Sequence, residues 1–449
     1  MRGSCSKISF IFCRRDFLKM KRSLIVLVLL ALSLSLIGGI VGAQEEEPLV
    51  IGVLTDNSGV LAIYGSELDN GFTLGIEYAT DGTMTVAGRP VEVVFRDTGS
   101  DPDTALEMAR ELITEEGAEI LVGTVSSGAT LGLQQLAADF DVILMAGPAA
   151  APLITGANFE EHTFRVCRNS YQDFLTIAPV AEEFFGGNKF VQLAADYAFG
   201  TSSAAAAEFA LSQQGIEFVR DTILAPLDAT DFTPYLQEVL DSGANAVIII
   251  WAGATTVNLL QQAAELGLPE QINILQAFNS NDLMPFLVPE TFTDTAGYMI
   301  YHYTFPQNEV NDWLVEHHKE AYDGDVPDLF TECAFATAQA VIAALEATDG
   351  DTLPETMIPA LEGLSWVGPK GLYYIRPEDH QAMVPMYLAR LTNLDDPEFR
   401  YYELLAEVPA WDILPPCEAP DRCDDYDAEA LSELLQELHA ELLGDSMGE

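Results

Sequence analysis

From Leu49 to Tyr303, short apolar runs alternate with amphipathic stretches. The apolar runs, near 49–54, 91–96, 119–123, 142–146, 189–195, 216–223, 245–251, 272–276 and 297–303, are rich in Val, Ile and Leu and bounded by turn formers, as buried strands are. Between most of them, near 64–79, 103–115, 128–138, 171–185, 199–213, 231–241 and 254–266, apolar residues recur at helical spacing. Helix ends are marked too. Asp101-Pro102-Asp103 and Thr230 to Pro234 place Pro in a first turn with acids nearby. Gly215, Gly243 and Gly267 each follow a helical run, as C-terminal caps do. This alternation predicts an α/β chain with parallel sheets. The strands are many for one sheet, and the break near Thr155–Ser170 divides them into two lobes.

Glu119 to Ala151 condenses the pattern: strand, tight turn, helix, strand, tight turn. Ligands of open parallel sheets bind beyond the carboxyl ends of the strands. Ser126-Ser127 and Ala149-Ala150-Ala151 therefore share one edge, one jaw of a ligand cleft. After Tyr303 the pattern changes. Helices are expected at Asn308–Tyr322, Leu329–Ala347 and Pro354–Leu361, then strands at 372–375 and 383–391. A Pro- and acid-rich tail follows from about Pro397. It ends in an amphipathic helix, 428–443, whose Leu431, Leu434, Leu435, Leu438 and Leu442 share a face expected to pack on the protein itself.

Charge narrows the partners. The 449 residues include 70 acidic against 20 basic, a formal net charge of −50, which argues against nucleic acid and anionic membranes. The excess reads as a solvated acidic shell. At the N-terminus, Lys19, Lys21 and Arg22 precede an apolar run, Leu24 to Ile37, and Val41-Gly42-Ala43 fits a cleavage site before Gln44. Residues 1–43 thus read as a signal peptide and the product as exported, periplasmic or extracellular. Arg14-Arg15-Asp16-Phe17-Leu18-Lys19 fits twin-arginine export, while Met20 with Lys21-Arg22 would start an ordinary secretory signal. Export permits disulfides among Cys167, Cys333, Cys417 and Cys423. Cys417 and Cys423 are close in sequence and could pair, leaving Cys167 with Cys333, although four cysteines allow three pairings.

Catalytic signatures are missing from the sequence. Gly123 to Thr130 nearly fits a phosphate-binding loop, but Ala129 stands where its Lys is needed. Neither G-x-G-x-x-G after the first strand nor a G-x-S-x-G elbow occurs, and His317-His318 lacks metal-ligand spacing. The expectation is a binding protein, not an enzyme, with no cofactor or metal. Ser126, Ser127 and the first amides of the next helix suit a carboxylate, since the donors and the helix dipole favour an anion. The competing reading is that they only cap the helix, worth about 1 kcal/mol.

The order and spacing of several stretches then resemble a known family. These are Val50 to Leu54 with Tyr64-Gly65 and Asn70-Gly71; Asp97 to Ala105; Gly123 to Gly128; Pro148-Ala149-Ala150; Phe164-Arg165; Asp196 to Gly200; Thr230-Asp231-Phe232; and Leu260 to Gly267. Over residues 48–395 the chain resembles the type I periplasmic solute-binding proteins, especially the leucine/isoleucine/valine-binding proteins of ABC importers. The resemblance implies two doubly wound parallel-sheet lobes joined by a three-segment hinge, with crossovers near 165–168, 296–303 and 370–384. Lobe 1 would be 48–165 plus 303–370, lobe 2 would be 168–296 plus 371–395, and 396–449 an acidic tail with its terminal helix. It implies a ligand carboxylate held by Ser126, Ser127, Gly128 and Ala129, with Ala149 and Ala150 beside it and Tyr64 and Phe330 lining the pocket. Two positions depart from the family: Phe199 stands for the usual Tyr, and the family's hydroxyl is lost at Ala151. Asn279 falls where an acid should meet the ligand ammonium, so either Glu332 or Asp196 substitutes or the ligand is not an α-amino acid. The implied function is a monomeric receptor that takes a small organic ligand (a branched-chain or other amino acid, or a related amide or carboxylate) to an ABC-type permease. A ligand-sensing module for a signalling receptor is the alternative.

Overall fold

The computed structural model describes residues 47–276, 280, 281, 283–286, 293 and 295–444; the signal segment 1–43 and Asn279 lie outside them. The first lobe is built on a six-stranded sheet of β1 (Leu49–Thr55), β2 (Thr85–Val86), β3 (Arg89–Asp97), β4 (Ile120–Gly123), β5 (Ile143–Ala146) and β6 (Thr163–Arg165), in the order β2-β3-β1-β4-β5-β6. Every pair is parallel except β2 with β3. β1, β4 and β5 are buried at every position, which is why they read as unbroken apolar runs. The second lobe holds β7 (Lys189–Ala195), β8 (Glu217–Phe218), β9 (Ile223–Ala225), β10 (Ala246–Ile250) and β11 (Asn273–Gln276). Their order is β11-β10-β7-β8, with β9 also on β7. In both sheets the first strand of the lobe lies inside and later strands add on either side. The point of reversal, where ligands bind in such folds, therefore falls beside β1 and beside β7.

Two expected elements are interrupted. The run at 216–223 splits into β8 and β9, because the polar Arg220 between them turns outward to Glu238. The helix expected over 171–185 ends as Ser170–Ile177 and passes into a tight turn, Ala178–Val180, where Pro179 supplies no N–H.

The chain passes between lobes three times: after β6, after β12 (Ala296–Met299), and between β15 (Ala382–Met383) and β16 (Met386–Leu391). The third passage lies later than expected. β13 (Ser365–Gly368), β14 (Gly371–Ile375) and β15 form a small antiparallel sheet, and Tyr373, Ile375, Ala382 and Val384 pack with Phe72 and Val341 in the first lobe. Residues 371–384 therefore belong with lobe 1 rather than with lobe 2. β16 pairs with β12 and with β17 (Tyr402–Val408), and Tyr387, Leu391 and Tyr402 join the second lobe's core. The fold thus continues past residue 396. β17 escaped notice because its exposed positions carry Glu403 and Glu407 on an edge strand. The final helix, Ala428–Leu443, buries Leu431 and Leu435 against Leu372, Tyr374 and Met383, whereas Leu434 and Leu442 are exposed. Cys167 is bonded to Cys333 and Cys417 to Cys423, with Cα separations of 5.3 and 5.6 Å.

Helix Leu329–Ala347 crosses helix Gly65–Ala79 at backbone contact. A Cβ at Gly71 would stand 2.1 Å from the Thr331 carbonyl oxygen, and one at Gly75 2.6 Å from that of Phe335. Gly71→Ala should therefore lower the melting temperature, by a destabilisation of about 1–3 kcal/mol. Gly132→Ala, where the nearest atom is 3.7 Å away within a helix, should leave it level or raise it. Equal effects in a calorimetric scan would count against this account of the contact.

Candidate functional site

The cleft is made of loops at the carboxyl ends of β1, β4 and β5 facing those of β7 and β10. Its volume is about 60 Å³. The first lobe supplies Leu61, Tyr64, Val125, Ser127, Pro148 and Ala150. The second supplies Tyr197, Phe199, Trp251 and Ala252, and the floor is Arg168, Ile300, Leu329 and Phe330. A larger hollow of about 720 Å³ opens elsewhere, between Phe305, Lys370, Glu407, Trp411 and the final helix. It sits at no carboxyl edge of a parallel sheet, and the smaller cleft is the candidate on that ground.

The first jaw is held by buried polar groups. Ser126 caps helix Ser127–Phe140, its Oγ accepting from the Ala129 amide at 3.4 Å. Asp56, fully buried, accepts from the Val125 amide at 2.8 Å and from the Thr98 hydroxyl at 2.8 Å. Burial pushes its carboxyl above the usual range, and these hydrogen bonds pull it back. The Ser127 oxygen accepts from the Ala151 amide at 3.3 Å, which leaves the hydroxyl proton to donate. The amides of Ser127 and Gly128 lie in the first helical turn, outside the helix's own ladder. Arg165 shapes the next loop, donating to the carbonyls of Ala151 at 2.7 Å and Ala149 at 3.3 Å.

Across the mouth the lobes touch. The Gly253 amide donates to the Tyr64 hydroxyl at 3.2 Å, and the Ala254 amide to the Val60 carbonyl at 3.2 Å. Tyr64 also meets the Phe330 ring edge-on, centroids 4.9 Å apart. Burial raises the Tyr64 phenol, so it stays protonated. This is a closed arrangement.

Of the residues singled out in the sequence, Tyr64, Ser127, Ala150, Phe199 and Phe330 line the cleft together. Ser126, Gly128, Ala129 and Ala149 stand behind that surface. Glu332 does not reach it. Its carboxylate accepts from the Tyr373 hydroxyl and lies 3.6 Å from Lys370 Nζ, both charged side chains only 2% exposed. Burial raises the Glu332 carboxyl and lowers the Lys370 ammonium, while each holds the other toward its charged form. Asp196 is exposed and lines nothing in the cleft. Sequence reasoning missed Trp251 and Arg168. The signal for Arg168 was an arginine next to Cys167 at the first crossover, in a chain with only 20 basic residues.

Two sheet lobes on a three-strand hinge, with a lined cleft between them, define a bilobal solute-binding protein. The chain belongs to the periplasmic binding protein family, which it matches over residues 48–396. It is 26% identical over 364 residues to Leu/Ile/Val-binding protein homolog 6 of Brucella melitensis, covering 79% of this chain and 90% of that one. Among solved structures it resembles an ABC-type branched-chain amino acid transporter protein of Rhodopseudomonas palustris CGA009, at 32% identity and TM-score 0.67, over 83% of this chain and 100% of that one. It also shares the fold of a solute-binding protein of an ABC transporter from R. palustris BisB5, crystallised with 3,4-dihydroxybenzoic acid, at 24% identity and TM-score 0.71, over 81% and 98%.

Closure depends on Gly253. Its φ is +89°, and a Cβ there would stand 2.3 Å from the Val60 carbonyl oxygen across the cleft. Gly253→Ala should hold the lobes apart. Small-angle X-ray scattering should then give a larger radius of gyration than for the wild type, and superimposable profiles would count against the clasp.

Proposed function

We propose that the protein is an exported, non-catalytic receptor. It captures a small organic ligand bearing a carboxylate between its lobes and delivers it, as a monomer, to an ABC-type permease. The observation that carries this reading is the pairing of a donor-rich jaw with an aromatic wall. Ser127 offers a free hydroxyl proton and two first-turn amides, opposite Phe199 and Trp251 with Tyr64 and Phe330 beside them. Family membership supports the receptor role. A relative named for leucine, isoleucine and valine and a neighbour holding an aromatic acid support amino acids and aromatic acids as ligand classes. In this reading the carboxylate meets Ser127 and Gly128, and Ser126, Ala129, Ala149 and Ala150 shape the jaw. Ligand that bridges the lobes stabilises the closed form, which the permease distinguishes from the open one.

A thermal-shift screen of amino acids, amides and aromatic and aliphatic acids tests the reading. A ligand at about 100 times its dissociation constant should add about 2.7 kcal/mol of stability. Tyr64→Ala and Ser127→Ala should each weaken binding of whichever compound shifts the wild type. Unchanged affinity in both would move the binding site elsewhere.

A further inference from the structure

Arg168 sits in the floor of the cleft, only 6% exposed. Its guanidinium carries five donors. Nε reaches Asp173 Oδ1 at 3.3 Å, long for a charge-assisted bond, and Nη1 reaches the Pro148 carbonyl at 3.2 Å. Among the described residues no acceptor is placed on Nη2. The group lies 5.7 Å from the Phe330 ring centroid, so the cation and the aromatic wall adjoin. Carboxylates are distributed differently. None lines the cleft among the described residues. Asp173 already faces Arg168, and Glu332 faces Lys370 and Tyr373.

From this geometry we infer that Arg168 is the specificity-determining charge partner of the ligand's carboxylate, and that the cleft selects an apolar or aromatic monocarboxylate lacking an ammonium group. This rests on the solute-receptor reading above. A guanidinium that is buried and has donors to spare gains most from an anionic acceptor. The amino end of helix Ser127–Phe140 lies on the same cleft and adds positive potential, so the anion is compensated even though Asp173 offsets part of the Arg168 charge. An ammonium would be buried near a cation whose neighbouring acid, Asp173, is already paired with it, which is costly. The aromatic side chains Tyr64, Phe199, Trp251 and Phe330 supply the apolar body of the site.

Isothermal titration calorimetry on the full exported protein tests this with two matched pairs. Leucine is compared with 4-methylpentanoate, its analogue without the ammonium group, and benzamide with benzoate. 4-Methylpentanoate should bind at least about tenfold more tightly than leucine, and benzoate at least about tenfold more tightly than benzamide, the scale of one charge-assisted hydrogen bond. The double variant Arg168→Gln/Asp173→Asn keeps the buried pair neutral and hydrogen-bonded, and it should lose the preference for benzoate over benzamide. Leucine binding as tightly as 4-methylpentanoate would overturn the inference and leave the receptor reading standing. So would a folded double variant that keeps the benzoate preference. Should that variant fail to fold, the wild-type pairs alone decide. Binding of none of the four compounds would overturn the inference, and failure of every compound in the wider thermal-shift screen would overturn the receptor reading.

Discussion

Three crossing segments must meet in a small apolar space while staying separate enough to bend, and buried charge holds them there. Lys370, between β13 and β14, donates to the Ile300 carbonyl of the second crossing at 3.2 Å and pairs with Glu332 of the long helix. Gln381, before the third crossing, donates to the Cys167 carbonyl of the first at 2.8 Å and accepts from Arg165 Nε at 2.6 Å. The Cys167–Cys333 bond ties the first crossing to the same helix, and Arg168 and Glu332 are the sequence neighbours of its two ends. Removing one partner of a buried ion pair leaves an uncompensated charge, at a cost of about 3–5 kcal/mol. These groups therefore act as one unit, and the lobes keep their registration because the unit is satisfied as a whole.

The acidic composition gives this arrangement a further meaning. With 70 acidic and 20 basic residues, cations are scarce. Yet Arg165, Arg168, Lys370 and Arg376 are all buried, the first two at the first crossing, Lys370 against the second, and Arg376 paired with Asp379. Surface carboxylates keep the molecule soluble and repel one another. The interior cations are placed where chain segments from both lobes converge, and they organise backbone carbonyls as much as side chains. Arg165 alone holds the carbonyls of Ala149 and Ala151 that form the jaw.

What could be read from the sequence follows from the range of the interactions that determine it. The strands of both parallel sheets announce themselves because they are buried on both faces, and the helices because their caps are local. Ser127 was accessible because it sits where a parallel strand ends and a helix starts, whereas Tyr64 and Phe330 came only from the resemblance to the family. Trp251 and Arg168 were not accessible, since their place in the cleft is created only when the second lobe and the first crossing come against the first lobe. The late chain misled for another reason. β14 is apolar enough to read as a strand, but with β15 it forms a local antiparallel pair that packs backwards onto lobe 1, a placement no local pattern carries, and β17 is an edge strand with acidic residues at exposed positions. Glu332 was the natural candidate for a ligand's counter-charge until its partner, Lys370, proved to lie beside it in space, far away in sequence.

The jaw at Glu119–Ala151 shows how one lost hydroxyl can be reconciled with a working donor set. Ala151 contributes no side-chain donor, but its amide donates to the Ser127 oxygen and so leaves the Ser127 proton to donate elsewhere. The amide of Val125 is already committed to Asp56, which leaves the helix to offer only its first-turn amides. A carboxylate there would find fewer donors than two adjacent hydroxyls would give. Arg168, rising from the crossing beneath, lies where the shortage can be met, and it comes from the hinge rather than from either lobe. A ligand that engages it would touch the bending segment directly, and binding and closure would then draw on the same contact.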